Sequence, residues 1–266
     1  MNGEAIRSAF EGVSDEYRQI LARDNKEDLT AVIGQVNKAV GNDSSRLAPE
    51  PANVFNAFRM TPWSKLSVVL IGQDPYPTPG DAMGLCFSVN RGRPIPRSLQ
   101  NIYLALAKSG FIHKQPSHGD ISAWAKQGVL MLNMSLTTVK SERGSHLEIW
   151  RSYMEKVLTG IAKKCAEEKR PLVFLMWGSF AQKFQFIVDK VNFMEVQKNG
   201  EKATVHRTIE WGHPSPVSKF NKGDPAEVPK HFANCDNFTK CNDILRASGV
   251  STIDWDPDVN LVGGTK

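Results

Sequence analysis

Val68-Val69-Leu70-Ile71-Gly72-Gln73-Asp74-Pro75-Tyr76-Pro77 is a short apolar run that breaks into a polar turn. A run of β-branched and aliphatic residues without polar alternation reads as a strand covered on both faces. Three further segments repeat the design. Val129-Leu130-Met131-Leu132 ends on Asn133, Val173-Phe174-Leu175-Met176-Trp177 runs into Gly178-Ser179, and Arg207-Thr208-Ile209-Glu210-Trp211 leads to His213-Pro214-Ser215-Pro216. Helical patterns separate the strands, which makes the connections right-handed crossovers and the sheet parallel. The expected fold is α/β: a single domain around a central four-stranded, twisted parallel sheet flanked by helices. Ligands bind such sheets beyond the carboxyl ends of the strands, so the four polar loops should meet in one cleft.

Upstream of the first strand, Ile6, Phe10, Val13, Tyr17, Ile20 and Leu21 recur every three or four residues, as on an amphipathic helix. Leu29, Val32, Ile33, Val36 and Val40 predict a second helix, and a polar linker runs from Gly41 to Asn53. Residues 1–48 are therefore expected to form a helical segment packed on, or leading into, a main domain over 49–258. Residues 259–266 are expected to be a flexible tail. Ser98 as N-cap and Gly110 as stop predict a helix between them, and Asp120 caps another before Trp124. Longer helices are expected over 146–169 and 179–190.

A chain of 266 residues can bury a full core in one domain. No apolar run approaches the roughly 18 residues of a membrane helix. Met1-Asn2-Gly3-Glu4 lacks the basic-then-apolar order of a signal peptide, so an intracellular location is expected, cytoplasm or nucleus according to source. Cys86, Cys165, Cys235 and Cys241 show no C-x-x-C spacing and signal neither a zinc site nor a disulfide framework. The net charge is +5, and its excess lies after the acidic first 60 residues. Between Asp81 and Asp120 no acid interrupts Arg91, Arg93, Arg97, Lys108 and Lys114. Such clusters suit phosphate binding, although a solvated basic face has the same signature.

Each polar loop has a chemical and a plain reading. Asp74 can position a water and stabilise a cationic transition state, as carboxylates do in glycoside cleavage, or it can cap turn amides. His213 precedes prolines that aim its ring; a neutral imidazole can donate to a developing oxyanion, and a lone His-Pro is more often a turn. Phe87 reads as a stacking platform for a base or as core. Asn133 offers one donor and one acceptor to a pyrimidine edge, or is satisfied by neighbouring backbone. Ser98, Ser179 and Ser215 stand where hydroxyl and amide donors could grip phosphates, or are turn and cap residues. No G-x-S-x-G elbow or P-loop lysine is present, which argues against hydrolases and NTPases built on those motifs.

Taken together these segments resemble the family 1 uracil-DNA glycosylases. The family's GQDPYH is GQDPYP at 72–77, and its GLCFSV stands intact at 84–89. WAKQGVLLLN becomes WAKQGVLMLN at 124–133, WGSYAQK becomes WGSFAQK at 177–183, and HPSPLS becomes HPSPVS at 213–218. The resemblance runs in order from about Pro49 to Trp255 and leaves the first 45 or so residues unmatched. It implies an enzyme that extrudes deoxyuridine from single- and double-stranded DNA and hydrolyses its N-glycosidic bond, releasing free uracil for base excision repair. Phe87 would stack on uracil, Asn133 would bond O4 and N3–H, and Tyr76 would exclude the thymine methyl. Asp74 would orient water, and His213, with the Gln73 amide, would stabilise charge on O2. Ser98, Ser179, Ser215 and Ser218 would contact DNA, and Val217 would wedge into the duplex. Arg93 and Arg97 are expected to join them from the basic stretch alone, not from the resemblance. The resemblance further implies a monomer with no metal or organic cofactor, and a DNA-mimicking protein inhibitor as a further partner.

Two positions depart from the family. Pro77 replaces a histidine, and Val217 replaces the leucine of the wedge. The stretch Lys219–Asn234 is also longer than the usual link to the next helix, and reads as a DNA-contacting loop or a flexible surface insertion. The rival reading is a non-catalytic DNA-binding or processivity factor on the same fold.

Overall fold

The computed structural model describes residues 8–259, excepting the Phe220 side chain. Ile6 and most of the expected tail lie outside the described residues. The helices are α1 (Asp15–Arg18), α2 (Lys26–Ala39), α3 (Asn56–Met60), α4 (Arg97–Lys108), α5 (Ser122–Gln127), α6 (Leu147–Glu167), α7 (Gly178–Gln182), α8 (Gln185–Asn199) and α9 (Asn237–Ala247). The strands are β1 (Leu47–Ala48), β2 (Val68–Gly72), β3 (Val129–Asn133), β4 (Thr138–Val139), β5 (Val173–Trp177) and β6 (Arg207–Trp211).

Four strands form one parallel sheet in the order β3-β2-β5-β6. Every residue of β2, β3 and β5 is buried, as their unbroken apolar composition requires. β6 departs from that expectation. It is an edge strand in which only Ile209 is buried, and its Arg207 and Glu210 face solvent. The register sets Gly72 beside Asn133 and Trp177 beside Trp211, so the loops that follow all leave from one end of the sheet.

The N-terminal residues share the sheet's core rather than a separate one: Val13, Tyr17, Ile20, Leu21, Val32 and Val36 join its apolar cluster. The Tyr17 ring lies edge-on to Phe58 and Trp63, and Tyr153 Oη donates to Leu21 O at 2.8 Å. The expected first helix is broken. Gly12 takes a positive φ of 75°, α1 has only four residues, and a π-helical turn over Gln19–Arg23 follows it. Other expectations also shift. Ser98 is not the N-cap of α4; Pro96 holds that place and Ser98 is the second helical residue. The helix expected at 179–190 is two helices, α7 and α8, parted at Lys183-Phe184. Asp120 does lead into α5, its Oδ1 accepting from the Ser122 N–H at 2.9 Å.

A second, two-stranded antiparallel sheet pairs β1 with β4, at Leu47–Val139 and Ala48–Thr138. Nothing in two residues of apolar sequence announced it. Lys219–Asn234 is a tied loop, not a loose insertion. Asn221 Nδ2 donates to His213 O (2.8 Å) and Ser215 O (2.7 Å), while its Oδ1 accepts from Phe232 N–H (2.9 Å). Phe232 itself is fully buried against Trp177. No helix among the described residues is long and apolar enough to cross a membrane.

Candidate active site

At the carboxyl end of the sheet, two adjoining spaces open. One is a cavity of about 210 Å³ lined by the β2 turn from Gly72 to Pro77, by Phe87, by Ser98 at the start of α4, by Asn133 and by His213. The other is a groove of about 710 Å³ bounded by Ser179, Ser215, Val217, Ser218, Lys219 and Lys230. Gln73, Arg143, His213 and Ser215 line both. The four loops read from the sequence do converge.

Asp74 sits just past β2 with its side chain 3% exposed. Burial raises its carboxyl pKa above the ordinary value, because the charged form loses water. The Gly144 N–H, 2.8 Å from Oδ2, and Arg143 oppose that rise. The result is a largely desiccated carboxylate with one amide donor, suited to holding a water or facing a cation. His213 is the complementary group. Its Nδ1 accepts from the Ser215 N–H at 3.0 Å, which leaves the hydrogen of the neutral ring on Nε2. Burial first, and Arg143 second, lower its pKa to about 4, so the ring is a neutral donor at physiological pH.

Phe87 has a positive φ of 63°, a conformation a bulky side chain adopts only when its surroundings impose it. Its ring centroid lies 5.5 Å from Trp177 and 5.8 Å from His213, and one part of it lines the cavity. It is therefore neither free nor buried core. The Tyr76 hydroxyl donates to Phe87 O at 3.3 Å, and burial raises its pKa, keeping it neutral. Asn133, 7% exposed, closes the floor beside Gly72. Glycine is needed there by space rather than by backbone angle, since a Cβ would fall 2.3 Å from Asn133 Oδ1. Gly178 is needed for both reasons: its φ is 86°, and a Cβ would meet His213 Cβ at 2.7 Å.

The predicted residues are not all brought together. Ser98 faces the smaller cavity, and Ser179, Ser215 and Ser218 face the groove, where Val217 is 80% exposed. Arg93 and Arg97 line neither. Arg93 Nε is 2.6 Å from Asp81, Arg91 pairs with Asp120 at 3.3 Å, and Lys108 Nζ donates to Asn234. The apparently uninterrupted basic stretch is thus partly neutralised by the two acids that bracket it. Sequence reasoning missed Arg143, Lys219 and Lys230. Arg143 carried no local signal beyond an Arg-Gly pair in a loop.

A family model described as the uracil DNA glycosylase superfamily matches residues 59–246. The chain belongs to this family. A uracil-DNA glycosylase of Photorhabdus laumondii is 37% identical over 212 residues, 79% of this chain and 82% of that one. One of Caenorhabditis elegans is 33% identical over 251 residues, 94% of this chain and 79% of its own. Among solved structures, mimivirus uracil-DNA glycosylase has 27% identity and a TM-score of 0.73, covering 95% of this chain and 90% of its own. A point variant of that viral protein, solved in complex with the protein UGI, gives 29% identity and a TM-score of 0.72, covering 91% and 88%. As a member of the uracil DNA glycosylase superfamily the chain is a DNA-repair glycosylase, an enzyme of the N-glycosyl hydrolase class. The reading as a non-catalytic factor finds no support among these relatives.

Proposed function

We propose that this glycosylase acts on deoxyuridine in DNA, extruding the nucleotide into the 210 Å³ cavity and hydrolysing its N-glycosidic bond. The observation that carries the reading is the convergence of Asp74, Tyr76, Phe87, Asn133 and His213 on that one cavity. Phe87 stacks on the base. The Asn133 amide pairs with O4 and N3–H, and the Tyr76 ring occupies the space a C5 methyl would need. The C1′–N1 bond breaks towards an oxocarbenium-like sugar, whose positive charge faces the Asp74 carboxylate. The bonding electrons leave with uracil, and the negative charge on O2 meets the Nε2–H of His213 and the amide of Gln73. Water held by Asp74 adds to C1′ and gives up a proton to the Asp74 carboxylate, which passes it to solvent. The hydroxyl of the abasic sugar forms, and the hydrolysis is complete without a cofactor.

Around the cavity, Ser98, Ser179, Ser215 and Ser218 take the phosphates, and Val217, exposed at the tip of its turn, enters the vacated base step. Valine buries about one methylene less than leucine, about 0.8 kcal/mol, so single-stranded uracil is the preferred substrate over duplex. The enzyme works as a monomer. A DNA-mimicking inhibitor of the UGI kind, seen bound to the mimivirus protein, would cover the same groove.

Release of free uracil from single-stranded and duplex oligonucleotides, with thymine-containing controls, tests the reading. Uracil release without thymine release, faster from the single strand, is expected. Asp74→Asn should lower single-turnover cleavage by on the order of 10²–10⁴-fold and leave DNA affinity nearly unchanged. Near-normal cleavage by that variant would remove Asp74 from the chemistry.

A further inference from the structure

Arg143 stands where the cavity and the groove meet. Among the described residues it is the only arginine or lysine that lines both. Its loop is fastened to the Asp74 turn at two points: Ser141 N–H donates to Pro77 O at 2.9 Å, and Gly144 N–H to Asp74 Oδ2 at 2.8 Å. Ser141 and Gly144 both have positive φ, 68° and 71°, so the backbone turns sharply on either side of Arg143. The guanidinium is thereby set over the carboxylate, with Nε 3.9 Å from Asp74 Oδ1.

That contact is loose. It lacks the short, parallel pair of N–H···O bonds that makes an arginine–carboxylate contact strong, and the Arg143 side chain is 64% exposed. The same side chain borders the groove beside Ser179 and Ser215. A phosphate arriving there offers the bidentate partner that Asp74 does not provide in this geometry.

The geometry points to an anion exchange at Arg143: in the free enzyme it neutralises Asp74, and on DNA binding it passes to the phosphate beside the extruded deoxyuridine, leaving the carboxylate uncompensated against the sugar. This inference rests on the substrate proposed above. It assigns Arg143 two tasks. Before binding, it helps keep a buried carboxylate ionised, a form that burial alone disfavours. After binding, its departure removes a cation that would cancel the field of Asp74 where positive charge develops.

Of the other groups around the carboxylate that titrate at acid pH, only His213 responds to Arg143 in the same direction, and its protonated ring still donates from Nε2, so the acid limb is that of Asp74. Tyr76 and Cys86, across the cavity, are kept neutral by burial, and His213 is neutral above about 4. Glu142, next in the chain, lies 3.8 Å from Arg46. Lys219 and Lys230 border only the groove.

The test compares Arg143→Gln and Arg143→Lys with the unsubstituted enzyme on a single-stranded uracil oligonucleotide. The acid limb of kcat/KM reports Asp74 in the free enzyme, and that of kcat reports it in the complex. Asp74 works ionised, so activity falls as pH drops through its pKa, and losing Arg143 moves that pKa up. In the unsubstituted enzyme the kcat limb should therefore lie at higher pH than the kcat/KM limb. In Arg143→Gln the kcat/KM limb should rise towards the kcat limb, which itself hardly moves. KM should increase by about tenfold, the worth of a charged hydrogen bond, and the slope of log K against log[salt] should fall by about 0.7. Arg143→Lys should restore most of the gap between the limbs and less of the affinity. A parallel rise of both limbs would show that Arg143 stays with Asp74 in the complex and would overturn the exchange. Unmoved limbs with an unmoved salt slope would also overturn it. Absence of uracil release by the unsubstituted enzyme would overturn the substrate assignment and the exchange together, whereas release with coincident limbs overturns the exchange alone.

Discussion

Gly72 and Asn133 are neighbours in the β2–β3 register, and one missing methyl group sets the distance between them. An alanine at 72 would place Cβ 2.3 Å from Asn133 Oδ1 and 2.5 Å from Cys86 Cβ. Both contacts are too close to persist, and neither neighbour is the loose end of a long side chain. Gly72→Ala should cost about 1–3 kcal/mol of stability through overpacking. Its larger effect should be on recognition, because the Asn133 amide must move by an appreciable fraction of an ångström. A fall in kcat/KM for uracil release of about 10²-fold is expected, of the size that small misplacements produce. Thermal unfolding and uracil release from the same preparation check both parts. Normal activity at a lowered melting temperature would mean that Asn133 is not the group that holds the base.

At the scale of elements, the position of His213 depends on two structures that flank its loop. α4 supplies Asn101, whose Nδ2 donates to Pro214 O at 2.7 Å, and the 219–234 segment supplies Asn221, bonded to His213 O and Ser215 O. The longer loop thus acts as a brace, since Asn221 also receives the Phe232 N–H and Phe232 is anchored against Trp177. Asn221→Ala removes three hydrogen bonds and leaves partly buried backbone groups without them. A loss of about 1–3 kcal/mol is expected, read as a lower melting temperature. Uracil release should fall through kcat, because the imidazole loses its fixed direction towards the base, while DNA affinity changes little. A variant that melts lower but turns over normally would show that Asn101 and the prolines hold His213 unaided.

Across the whole molecule, the net charge of +5 is less concentrated than the order of residues suggests. Folding brings Asp81 and Asp120 onto Arg93 and Arg91, so two cations of the basic stretch are already paired. Arg97 has no ion pair among the described residues and opens α4 one residue before Ser98, which faces the cavity. The two arginines should therefore separate in experiment. Arg97→Gln should reduce the salt slope of single-strand binding by about 0.7, the worth of one phosphate contact. Arg93→Gln should leave the slope unchanged and lower stability, since it strands Asp81, whose side chain is 15% exposed. Equal slopes for both variants and the unsubstituted enzyme would remove Arg97 from the DNA interface as well.

Much of this protein was legible in its sequence. Strands β2, β3 and β5 were readable because a sheet covered on both faces needs unbroken apolar runs, and that is a local property of the chain. Asp74 and Asn133 were readable as candidates because each follows such a run within three residues, at the end of the sheet where this fold class binds ligands. His213 was readable from the prolines beside it and from its place two residues past β6, whose run is not unbroken. Other features depended on residues far apart. Gly144 reaches Asp74 from 70 positions away, carried there by the β1–β4 ribbon and the bond from Ser141 to Pro77. Only the folded chain could reveal that Arg143 sits over the carboxylate, that β6 is an edge strand, or that Arg93 already has a partner. Periodicity reports which face of an element is dry. It carries no record of which distant loop will close over that face, because that choice is made by packing and by hydrogen bonds formed between segments with no local pattern in common.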